Sequence, residues 1–268
     1  MKEWDLKMKR LTSLKIILPV ILTVALIIHC AGTKAGPESR DITRMESRNL
    51  AIDSTLSPDP ELEALIQPYR ADLDDKMSVV IGYAALDLKK GKPEAPLNNF
   101  VADLMVKRAS REFRQPVNVA LTNNGGLRVD IQSGPITLGK IFEVMPFENE
   151  LVILEMTGAQ LIALAKDIGE SGGEAVSGMR LEFQDKDLAR ITVQDQPVAS
   201  DSLYYLVTTD YLSDSGRNQF KVLSMVPKTL LGITLRDAII DEVKEIQAAG
   251  RQVTGQADGR IVFRKSGE

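Results

Sequence analysis

Apolar positions along this chain alternate between the two-residue rhythm of strands and the 3.6-residue rhythm of helices. Met77–Ala85 is β-branched and apolar, which predicts a strand. Leu97, Phe100, Val101, Leu104, Met105 and Arg108 follow helical spacing, predicting an amphipathic helix from about Leu97 to Phe113. Val117–Leu121 reads as a short buried strand. Thr137 can cap a short helix, Leu138–Val144, that Pro146 terminates. Leu151–Met156 is the next strand, and Thr157 with Gln160 has capping-box spacing ahead of a helix Ala159–Ile168. Strands follow near Met179–Phe183, Ala189–Val193 and Leu203–Thr208. A last helix, Leu235–Gln247, takes Thr234 as its cap, and a strand Arg260–Arg264 ends the pattern. Helices and strands are interspersed, with hairpin-like strand pairs, which favours an α+β class over a doubly wound sheet. No internal repeat is visible.

The first 75 residues follow a different pattern. Lys2, Lys7, Lys9, Arg10 and Lys15 precede an apolar run, Ile16–Ile28, and then His29-Cys30-Ala31-Gly32. Thirteen apolar residues are short for a bilayer span, and the order matches a secretory signal over residues 1–30. Cys30 resembles the lipidated cysteine of bacterial lipoproteins, although His29 stands where those signals carry a small residue. An uncleaved anchor and plain secretion are the alternatives, and each places the body outside the cytoplasm. Residues 31–75 read as a tether containing Gly36-Pro37, Ser57-Pro58 and Asp59-Pro60, with a short helix Pro60–Ile66 ending before Pro68. The globular domain is expected over residues 76–266.

Composition narrows the chemistry. The formal net charge is −4, and the basic N-terminus leaves the remainder more acidic still, so nucleic acid is not an expected partner. The chain holds one Cys and one His, which excludes an internal disulfide. His29 lies in the apolar N-terminal segment, so the body cannot supply a Ser-His-Asp or Cys-His arrangement or a His-rich di-metal site. No cofactor or metal site is expected in this chain.

The apolar run Val117–Leu121 stops at Thr122-Asn123-Asn124-Gly125-Gly126-Leu127-Arg128. Two glycines permit positive φ and close approach of a ligand to bare backbone. The carboxamides and the guanidinium of Arg128 suit a planar, polar, anionic ligand. An ordinary Asn/Gly-rich turn is the alternative. Phe147, on a loop between a helix and a strand, and Tyr211, in the first loop positions beyond another strand, could sandwich a flat ring.

These segments together resemble the C-terminal, substrate-recognising domain of the 5′-nucleotidase / UDP-sugar hydrolase family. The resemblance rests on Glu94-Ala95-Pro96-Leu97-Asn98-Asn99-Phe100-Val101-Ala102-Asp103, Asn123–Arg128, Gly134-Pro135-Ile136-Thr137, Pro146-Phe147-Glu148-Asn149 and Met156–Leu161, in the family's order. It implies a layered α+β sandwich of mixed sheets and helices. Asn123 would hydrogen-bond a base beside Gly125 and Gly126, and Arg128 would face the ribose or phosphate. Phe147 and Tyr211 would stack the base, while Arg217 and Asn218 fall in the loop that binds ribose. That loop here reads Asp214-Ser215-Gly216-Arg217-Asn218 where the family carries Asn-Gly-Gly-Asp-Gly, which reverses local charge. Pro-Phe-Gly-Asn becomes Pro-Phe-Glu-Asn, placing Glu148 at the lip of the site. The family's metal-bearing domain has no counterpart in these motifs, so divalent metals would belong to a separate metallophosphoesterase chain. Three readings follow. The chain is the recognition half of a split extracytoplasmic hydrolase acting on nucleotides, a freestanding nucleotide-binding lipoprotein anchored to the membrane, or a degenerate interaction domain without turnover.

Overall fold

Leu151 and Ile153 point into one hydrophobic core, while Val152, Leu154 and Met156, between and beyond them, point into another. Ala120 and Val207 join the first core; Val119, Leu121 and Leu206 join the second. A sheet buried on both faces needs apolar residues at every position, which is why these strands read as continuous runs.

The computed structural model describes residues 49, 52–53, 56–214, 220–265 and 267. The expected Cys30 segment therefore lies outside the described residues. Asp59–Glu268 forms one compact unit. Its elements are α1 (Pro60–Met77), β1 (Val80–Ala84), α2 (Pro96–Phe113), β2 (Val119–Thr122), β3 (Gly134–Thr137), α3 (Leu138–Val144), β4 (Glu150–Thr157), α4 (Gly158–Glu170), β5 (Ala175–Ser177), β6 (Met179–Gln184), β7 (Asp187–Val193), β8 (Gln196–Pro197), β9 (Leu203–Thr209), α5 (Asp210–Asp214), β10 (Lys228–Thr234), α6 (Leu235–Ala248) and β11 (Ile261–Arg264). The central sheet has the order β10-β4-β9-β2-β5 and is mixed, because β2 and β9 run parallel while its other pairs are antiparallel. Helices α2, α3 and α6 contribute to the first core; α4 and the sheet β11-β6-β7-β8 contribute to the second. The class is α+β, as the alternating pattern predicts.

Local signals explain most boundaries. Thr157 accepts from the Gln160 amide, and the Gln160 side chain accepts from the Thr157 amide, completing the capping box of α4. Thr137 and Thr234 cap α3 and α6 in the same way, each accepting from the amide three residues on. Arg260 is a buried tie near the start of β11. Burial works against its charge, but hydrogen bonds to Asp258 and Asp103 outweigh that and raise its pKa.

Two expectations are corrected. The short helix does not stop before Pro68: α1 runs through it to Met77. Asp59 caps α1 by accepting from the Glu61 and Leu62 amides, and Arg70 bridges back to Glu63 across the proline at 2.9 Å. The amide missing at Pro68 leaves the Ala64 carbonyl without its helical donor, but Ala64 is exposed and water can serve it. Tyr211 is not on a loop but in the first turn of α5. Strand β10 is absent from the sequence reading: it is an exposed edge strand, and Gly232, at φ +69°, lies in its irregular stretch.

Candidate ligand-binding site

Strand pairing brings three connections to one edge of the central sheet. Because β2 and β9 are parallel neighbours, the residues that follow each emerge at the same end. β4 is antiparallel to β9, with Leu151 opposite Thr209, so the residues preceding β4 reach that end too. Asn123–Arg128, Tyr211 and Phe147–Asn149 thereby converge over the carboxyl ends of β2 and β9, a place where open sheets commonly carry ligands.

The Asn-Asn-Gly-Gly segment is a single 3-10 turn, Asn124–Gly126. Neither Gly125 nor Gly126 adopts positive φ, contrary to the conformational role expected of them. What matters is space. A Cβ on Gly126 would stand 3.1 Å from Asn123 Oδ1, and one on Gly125 would stand 3.4 Å from its Nδ2. The Asn123 carboxamide thus lies against bare glycine backbone. The turn is held from behind: Asn98, fully buried, donates through Nδ2 to Asn124 Oδ1 at 3.1 Å. The Asn124 amide donates to Glu174 Oε2 at 2.6 Å, and Lys92 neutralises that buried carboxylate at 3.0 Å.

A second support holds the Phe147 loop. Arg236, on α6, donates through Nη1 to the Pro146 carbonyl at 3.1 Å and through Nη2 to Glu148 Oε1 at 3.0 Å. Its guanidinium also lies 4.3 Å from the centroid of the Phe142 ring, a cation–π contact beneath the loop. Glu148 pairs with Arg236, and its exposed side chain stands between Phe147 and Asn149, which line the cleft.

The resulting cleft, about 370 Å³, is lined by Asn123, Gly125, Gly126, Arg128, Phe147, Asn149 and Tyr211. Six of the eight binding residues expected from sequence are therefore together. Arg217 and Asn218 lie outside the described residues. Asn149 was not singled out as a site residue, and its only signal was its place at the end of Pro-Phe-Glu-Asn. Phe147 and Tyr211 are 38% and 52% exposed, leaving ring surface for a ligand. Arg128 donates through Nη1 to the Gly125 carbonyl at 3.2 Å and sits over the Phe147 ring. Among the described lining residues it is the one ionic group, so the cleft pairs aromatic surface and carboxamides with a single positive charge. That chemistry fits a flat, hydrogen-bonding, anionic molecule. Among the described residues, no group of three or more His, Cys, Asp or Glu is placed to hold a metal ion.

Comparison with known proteins adds independent support. The family described as "5'-nucleotidase, C-terminal domain" matches residues 78–225. The Trifunctional nucleotide phosphoesterase protein YfkN of Bacillus subtilis is 26% identical over 84% of this chain and 17% of its own length. Cell wall protein Lmo0130 of Listeria monocytogenes is 27% identical over 80% of this chain and 30% of its own. A crystal structure of a 5'-nucleotidase precursor from Thermus thermophilus superposes with a TM-score of 0.64 at 27% identity, covering 75% of this chain and 42% of that one. The chain thus spans less than half the length of these relatives. A match across more than half of the chain, on the fold and cleft described above, places it in the 5'-nucleotidase C-terminal domain family.

Proposed function

We propose that this chain is the nucleotide-recognition half of an extracytoplasmic 5′-nucleotidase-like hydrolase whose metal-bearing catalytic domain is a separate chain. The observation that carries this reading is the convergence of Phe147, Tyr211, Asn123 and Arg128 on one cleft. In this reading the base slots against Phe147 and Tyr211, Asn123 and Asn149 read its polar edge, and Arg128 faces the ribose or phosphate. The attacking water and the metals that activate it come from the partner, in keeping with a chain whose one His stands at position 29. Export and a lipid anchor at Cys30 complete the proposal, in keeping with one relative described as a cell wall protein.

A freestanding nucleotide-binding protein is the second reading, favoured by a cleft that this chain forms without a partner. A degenerate domain is disfavoured by Tyr211 lining the cleft with Phe147 and by Glu148 turning to Arg236. A thermal-shift panel of nucleosides, nucleotides and UDP-sugars, with divalent metal and with chelator, tests the proposal. Stabilisation by one nucleotide class in chelator, without hydrolysis, is expected. No shift with any of them contradicts both readings that place a nucleotide in the cleft.

A further inference from the structure

A second cavity, of about 650 Å³, lies between α2, α6 and the connection from α6 to β11, and it shares no lining residue with the cleft described above. Phe100 and Leu104 of α2 and Ile246 of α6, all members of the first core, supply its apolar wall. The connection opposite them is fixed in place. Glu94 accepts from the amides of Asp258 and Gly259, at 3.3 and 2.7 Å, and Asn99 Nδ2 donates to the Gln256 carbonyl at 2.9 Å. A Cβ on Gly255 would stand 2.4 Å from the Pro96 carbonyl oxygen, so this backbone packs directly onto the start of α2. The cavity is therefore preformed, which lowers the cost of filling it.

Its polar groups divide into two sets. Lys107 pairs with Glu242, and Arg260 with Asp103 and Asp258, so these five charges satisfy one another. Arg251, Gln252, Thr254 and Gln256 also line the cavity and are exposed. Among the described residues, no hydrogen bond or ion pair engages any of their side chains. Buried Asn99 adds an acceptor: its Nδ2 is committed to Glu94 and Gln256, and its Oδ1 has no partner among the described residues.

The free chemistry is thus one cation, three uncharged side chains and a buried acceptor beside an apolar wall. Each part selects. The lone guanidinium matches one carboxylate or phosphate. Gln and Thr side chains both donate and accept, as ring hydroxyls do. The apolar wall suits the C–H face of a saturated ring. A nucleobase fits poorly, because Phe100 is the one aromatic ring among the described lining residues and, at 8% exposure, offers little face for stacking.

We propose that this cavity is a second binding site, for a monosaccharide carrying one anionic group, a carboxylate or a phosphate ester. Arg251 holds the anion, Gln252, Thr254 and Gln256 exchange hydrogen bonds with the hydroxyls, and the ring lies against Phe100 and Leu104. The site is independent of the function proposed above.

The test is calorimetric titration of the full chain with glucuronate, with glucose 6-phosphate and, as the neutral control, with glucose. Saturable binding of at least one anion, roughly tenfold or more tighter than glucose, is expected, and the tighter of the two identifies the group held as carboxylate or phosphate. Arg251→Gln should bring that anion to the level of glucose without moving the melting temperature, since the side chain is exposed. Thr254→Val should weaken the anionic and the neutral sugar alike. Phe147→Ala, in the other cleft, should leave sugar binding as it is. Absence of saturable binding for both anions overturns the inference, as does binding indifferent to Arg251→Gln. Loss of sugar binding in Phe147→Ala would put the sugar in the cleft of Phe147 and overturn it as well.

Discussion

The guanidinium of Arg128 stands 5.3 Å from the centroid of the Phe147 ring, although the two residues come from different connections of the sheet. The contact joins the charge and the stacking surface of the cleft into one unit. A base resting on Phe147 keeps this cation on the far face of the ring or displaces it, and a phosphate carried by the same ligand lies within its reach. Arg128→Ala is therefore expected to weaken a nucleotide more than its nucleoside. Calorimetric titration with AMP and adenosine should show a loss of roughly tenfold or more for the first and a smaller one for the second. Equal losses would mean that Arg128 acts through Phe147 and not through charge.

Tyr211→Phe keeps the ring and is expected to leave nucleoside affinity nearly unchanged, whereas Tyr211→Ala should lower it roughly 10- to 100-fold, the scale of one base stack. With the side chain 52% exposed, melting temperature should barely move in either variant. A large loss in Tyr211→Phe would assign the contact to the hydroxyl instead.

Gly126→Ala tests the packing of the turn. The added methyl stands 3.1 Å from Asn123 Oδ1, so the carboxamide must shift by a few tenths of an ångström. Reduced affinity with near-native stability is expected, measured by titration alongside thermal unfolding. Unaltered affinity would remove the Asn123 carboxamide from recognition.

Arg236→Met removes the donors that hold Pro146 and Glu148, and it should cost both stability and affinity. The side chain is largely buried, so a loss of about 2 kcal/mol, or several degrees in melting temperature, is expected. Arg236→Lys restores charge but not the fork and should recover stability better than affinity.

How much of this was legible in the sequence differs from residue to residue. The caps at Thr137, Thr157 and Thr234 are local chemistry, and their helices start where those residues indicate. The meeting of Asn123 with Tyr211 is not local: it depends on β2 lying parallel to β9 across some eighty residues, which no periodicity reports. It was the resemblance, not the pattern, that joined them. That Glu148 pairs with Arg236, nearly ninety residues away, likewise has no local signal. Pro68 looked like a helix end because the contact that offsets it, the Arg70–Glu63 bridge, reaches across it.

Acid should act outside the cleft as well. Arg111, hydrogen-bonded to Glu245 and joined by Lys107, lowers the Glu245 pKa from its ordinary 4.5 to about 2. A carboxylate with a depressed folded-state pKa contributes stability that is complete above its unfolded value and is lost as pH falls through the folded one. The melting-temperature gap between the native chain and Glu245→Gln should thus be constant above about pH 5 and close toward pH 2. Because the pair is largely solvated, the gap should correspond to less than about 1 kcal/mol. A gap that widened in acid would contradict this assignment.

The most direct measurement is calorimetric titration of AMP into the full chain in excess chelator, repeated with Phe147→Ala. Saturable, metal-independent binding that falls roughly 10- to 100-fold in the variant is the expected result, because the ring supplies a base stack. Absence of binding to the native chain, or equal binding to both, would contradict recognition of a base at Phe147.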